Sequence, residues 1–66
     1  MTVDEIRERV NAIKKIKGDP EAAHGSEDTL FSDVLAAIAK GRCSDPAACA
    51  REALRSNYIR FPRWSA

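Results

Sequence analysis

Over most of this 66-residue chain the large apolar residues recur at spacings of three and four. That period belongs to the α-helix and not to the strand. Val3, Ile6, Val10 and Ile13 form one stripe, and Ile16 extends it. Leu30, Phe31, Val34, Leu35 and Ile38 form a second, broader one. The stripes are bounded by helix start and stop signals. Thr2 and Glu5 make a capping box, so a first helix is expected over 2–17. Lys14, Lys15 and Lys17 crowd its last turn, where cations suit the macrodipole, and Gly18 is placed to end it with positive φ.

Asp19-Pro20 restarts the chain with a good N-cap followed by the residue favoured at the first helical position. A short turn of helix is expected over 20–24, ended by Gly25. Ser26 then caps a second long helix, 27–40, with Glu27 and Asp28 in its first turn and Gly41 as its stop. Its wide apolar face places it at the centre of the fold, with Leu30, Val34, Leu35 and Ile38 buried. Asp45-Pro46 repeats the start signal. A third helix follows to about Ser56, with Ala47, Ala50, Ala53 and Leu54 inward and Asn57 able to end it in a left-handed conformation. Pro62 forbids a helix in the tail. Ile59, Phe61 and Trp64 are expected to fold back over the core as a lid, with Arg60 and Arg63 displayed outside. The fold class is all-α: one small three-helix domain, 1–66, with a short extra turn near 20–24 and an extended C-terminal tail packed on the core.

A chain of this size buries a small core, and a disulfide or a homodimer interface would supplement it. The composition narrows function by exclusion. The chain is 44% apolar and 32% charged, with net charge +1. No apolar run is long enough to span a membrane. The first residues are acidic, without a basic-then-apolar leader pattern, so a cytoplasmic location is expected. One His, two Cys and no glycine-rich loop leave little for catalysis. No catalytic residue, cofactor or metal is expected, and the protein is expected not to be an enzyme.

His24, Glu27 and Asp28 are the only residues whose types and spacing resemble a metal set. Two helix-start acids with a histidine hydrogen-bonded to one of them account for them more simply. Cys43 and Cys49 lack a second Cys pair or a His partner, and in a reducing compartment they are expected to be structural thiols.

Charge is uneven along the chain. Residues 1–33 hold five basic and eight acidic groups, a net of −3, and residues 34–66 hold six and two, a net of +4. Arg51, Arg55, Arg60 and Arg63 concentrate at the C-terminal end and are the candidate partner-binding residues. The first functional reading is a non-enzymatic protein–protein interaction module. The alternative is a small nucleic-acid-binding protein using that basic end, with the second and third helices set like a helix-turn-helix.

Two stretches carry a resemblance. Ala23-His24-Gly25-Ser26-Glu27-Asp28-Thr29-Leu30 has the form A-H-x-x-E-D-x-L, and Ile59-Arg60-Phe61-Pro62-Arg63-Trp64 has the form I-x-F-x-R-W. With Val34 to Ala39 and Ala50 to Leu54 between them, the chain resembles a group of short proteins of actinobacteria and their phages. The resemblance implies a phage or actinobacterial origin, life in the cytoplasm of the bacterial host, and a phage-encoded modulator of a host protein. It supplies no catalytic residue.

Overall fold

The computed structural model describes residues 1–63. Three helices follow in order: α1 (Val3–Lys15), α2 (Pro20–Ala39) and α3 (Pro46–Leu54), the last running into a 3-10 turn, Arg55–Tyr58. The expected all-α, three-helix architecture is present, and among the described residues there is no strand.

Local chemistry sets the helix starts. Thr2 Oγ1 accepts the Glu5 backbone N–H and its hydroxyl donates to the Glu5 carboxylate, each at 3.2 Å, so the expected cap forms with the carboxylate on the Thr2 hydroxyl rather than on its backbone N–H. Asp19 and Asp45 accept from Ala22 and Ala48 N–H, each ahead of a proline at the first turn. Gly41, at φ 69°, ends α2 in a Schellman motif. Its N–H donates to Ile38, and Arg42 N–H to Ala37.

Gly25 does not break the chain. The expected turn over 20–24 and the helix from 27 are one helix of 20 residues, and Ser26 caps nothing. The reason is packing. Ala23, Glu27, Leu30 and Val34 are its buried residues, spaced four, three and four, so only an unbroken helix brings Ala23 and Leu30 to the same core. Thr29 Oγ1 donates to the Gly25 carbonyl at 3.0 Å within it. A Cβ at Gly25 would meet nothing within 4 Å, and its φ is not positive. Gly25→Ala should therefore raise stability by about 0.5–1 kcal/mol by removing unfolded-chain entropy. Thermal unfolding checks this, with an upward shift of several degrees expected.

Two other helix ends differ from expectation. Gly18 has no positive φ. α1 closes earlier, at Ile16, through a turn in which Asp19 N–H reaches the Ile16 carbonyl at 2.9 Å. Asn57 is not left-handed, because α3 tightens into the 3-10 turn.

The core is Ile6, Val10 and Ile13 of α1, Ala23, Leu30 and Val34 of α2, Cys49 and Ala53 of α3, and Phe61 of the tail. Each helix packs on both of the others, so α2 is not central. Leu30 and Val34 are buried as expected, but Ile38 is only half-buried and Leu35 is 66% exposed. The α2 face is wider than its neighbours can cover, and Leu35 falls on the uncovered side. α3 is likewise turned from its expected face. Ala53 is buried as expected and Ala50 half-buried, but Cys49 and Glu52 join Ala53 inward while Ala47 is exposed and Leu54 is 52% exposed. The tail past the 3-10 turn lies on the core, with Phe61 buried and Ile59 half-buried. Trp64, the third residue of the expected lid, lies outside the described residues.

Candidate interaction surfaces

The four arginines of the basic end have different fates. Arg63 is turned inward rather than displayed. Its Nε and Nη2 hold the two oxygens of Glu27 at 2.8 and 3.1 Å, in bidentate fashion. Its Nη2 also donates to the Ser56 and Ile59 carbonyls at 2.8 and 2.9 Å. The guanidinium stacks over the Phe61 ring, 3.8 Å from its centroid. Ser56 Oγ completes the clasp with a 2.8 Å bond to Glu27. Glu27 is 3% exposed, and so is a buried acid rather than a helix-start acid. Burial pushes its carboxyl up, but the hydrogen bonds from Arg63 and Ser56 and the Arg63 charge outweigh this and hold it below the ordinary glutamate value. The two stretches that carry the sequence resemblance thus meet at Glu27 and Arg63.

His24 pairs with Asp28 at 3.6 Å, one turn along α2, while Glu27 is bonded to Ser56 and Arg63. Among the described residues no three His, Cys, Asp or Glu side chains come together as a metal-ligand set. Cys43 and Cys49 are unbridged. Burial and the adjacent Cys49 thiol push the Cys43 thiol up, the opposite of what an activated nucleophile needs.

Arg55 donates to Glu52 at 2.9 Å, and Arg7 reaches the same carboxylate from α1 at 3.0 Å. Burial raises the Glu52 carboxyl, and the bonds from Arg55 and Arg7 more than offset it, leaving it below its ordinary value. Arg51 and Arg60 are exposed and have no salt-bridge partner among the described residues.

In comparisons with known proteins, the chain matched no family model, no curated protein and no solved structure. Its surfaces therefore have to be read from their own chemistry. No helix among the described residues is long and apolar enough to cross a membrane.

Besides a mixed concavity of about 710 Å³ between α1 and α2, along Arg9, Ala12, Ile16, Ala22 and Thr29, two concave surfaces have a distinct chemistry. The first is an apolar groove of about 310 Å³ between α2 and α3, walled by Phe31, Leu35 and Ile38 on one side and Ala50 and Leu54 on the other, with Val34 and Ala53 as its floor. The second, of about 530 Å³, lies between the C-terminal half of α1 and the 3-10 turn. It is lined by Asn11, Lys14, Lys17, Arg55, Tyr58 and Arg60, with Val10 and Ile59 behind them. Neither follows from the helical periodicity: Leu35 and Leu54, expected to be buried, are exposed, and Lys14 and Lys17, expected to serve the helix dipole, also line the second concavity. A Tyr flanked by Arg55 and Arg60 was the legible sign of the second surface.

Proposed function

We propose that this chain is a non-enzymatic protein–protein interaction module that docks through the α2–α3 groove, and that the occupant is a second copy of the chain. The observation that carries the reading is the exposure of Leu35 and Leu54 (66% and 52%) on a groove lined only by apolar residues. Adjacent apolar side chains left in water on so small a domain mark an interface. They also offer the extra burial that a short chain needs.

Charge complementarity favours self-association. Asp28 precedes Leu35 by seven residues and Arg42 follows it by seven, and both are exposed. Seven residues is close to two turns, so Asp28 lies near the Leu35 stripe of α2, with Arg42 just past the helix end. Two α2 helices crossing antiparallel at Leu35 set each Asp28 beside the partner's Arg42. A parallel crossing sets like charges together. The isologous arrangement requires one surface patch to be its own complement, which this stripe is.

Sedimentation velocity over a concentration series tests the reading. The wild type should pass from monomer to dimer, and Leu35→Asp should stay monomeric with unchanged helicity, since Leu35 contributes little to the monomer core. Asp28→Arg and Arg42→Asp should each weaken the dimer, and their combination should restore it in part. A wild type that remains monomeric at its highest soluble concentration would overturn self-association and leave the groove to a foreign amphipathic helix. In the phage setting that the resemblance implies, that helix would come from a host protein. The nucleic-acid alternative concerns the other concavity.

A further inference from the structure

We infer that the basic concavity between α1 and the 3-10 turn is a binding site for single-stranded nucleic acid. Four cations converge there from both halves of the chain: Lys14 and Lys17 from the end of α1, and Arg55 and Arg60 from either side of Tyr58. The sequence separates these pairs by nearly forty residues, and the fold unites them. No carboxylate lines the concavity. The helix dipole accounts for cations on α1, but not for Arg55 and Arg60 arriving at the same place from the opposite end of the chain. Arg55 shares Glu52 with Arg7, which in turn pairs with Asp4, so that group is neutral and the uncompensated charge of the concavity comes from Lys14, Lys17 and Arg60.

The aromatic selects the ligand class. Tyr58 is 85% exposed, and its hydroxyl forms no hydrogen bond within the described protein. An exposed ring at the rim of a cationic concavity offers a face on which an unpaired base stacks while the phosphates on either side meet the cations. A duplex hides its base faces and gains nothing from Tyr58. Phosphate alone would use the cations but not the ring. Asn11, exposed in the lining, offers a donor and an acceptor to a base edge. This surface is separate from the α2–α3 groove and does not depend on self-association.

The test is fluorescence anisotropy with a short labelled oligothymidylate, beside the matching duplex and the mononucleotide, in buffers of increasing salt. The single strand should bind at low salt in preference to both. Its log K should fall against log salt with a slope of about −3 if all four cations meet phosphates, at roughly −0.7 per contact. Tyr58→Ala should weaken binding by about 5- to 150-fold without changing helicity, because the ring is outside the core. Lys14→Ala with Lys17→Ala should flatten the slope by about 1.4. No binding at low salt would overturn the inference. So would a duplex or mononucleotide bound as tightly as the strand, or a Tyr58→Ala variant with unchanged affinity.

Discussion

Leu30→Ala is expected to destabilise the fold by about 2–5 kcal/mol, whereas Leu35→Ala, five residues along the same apolar face, should stay within about 0.5 kcal/mol. Leu30 has no exposed surface and touches a close-packed core, so truncation both loses transfer energy and leaves a cavity. Leu35 is 66% exposed, and water already meets most of what the substitution removes. A domain of 66 residues has little stability to spare, so the Leu30 variant should be largely unfolded near ambient temperature. Urea titration of the two variants at one low protein concentration, where the chain is monomeric, checks the contrast. Equal midpoints for the two variants would mean that the face of α2 has been assigned wrongly.

That contrast also marks what the sequence could and could not convey. Three of the four expected helix starts were legible, Ser26 being the exception, because a cap is an interaction between residues three apart. Thr2, Asp19 and Asp45 each accept the N–H they were placed to accept. The stop at Gly41 was legible for the same reason. Gly25 looked like another stop, yet glycine permits positive φ without requiring it, and the stripe from Ala23 to Val34 outweighed its weak helix propensity. Whether Leu35 or Leu30 is inside depends on where α1 and α3 lie, and five adjacent apolar positions cannot encode that choice. The candidate surfaces were legible in part. The basic C-terminal residues were identified as a group, but Lys14 and Lys17 join Arg55 and Arg60 only through folding. Arg63 left the group for the same kind of reason: its partner, Glu27, is 36 residues away.

Arg63→Ala should accordingly be the most damaging change at the basic end, at about 2–4 kcal/mol, against about 0.5 kcal/mol or less for Arg60→Ala. Removing the guanidinium leaves the Glu27 carboxylate, only 4% exposed, with Ser56 as its sole partner. It also frees the Ser56 and Ile59 carbonyls and uncovers the Phe61 ring. The expected loss falls short of a fully buried pair's because the Arg63 side chain keeps 28% exposure, and water screens part of the interaction. The pH dependence separates this charge effect from lost packing. In the wild type, Glu27 is held below its ordinary value, so the unfolded chain binds the proton first as pH falls. The stabilisation is complete above the ordinary glutamate range and is lost as pH drops through that range to the folded value. Without Arg63 the largest remaining influence on Glu27 is burial, which favours the protonated form. The same acidification should then relieve the variant rather than harm it. Melting temperatures measured from neutral pH down through the carboxylate range should fall for the wild type and for Arg60→Ala. The gap between wild type and Arg63→Ala should narrow over that range. A gap that stayed constant with pH would show that Arg63 acts by packing on Phe61 and not by pairing with Glu27.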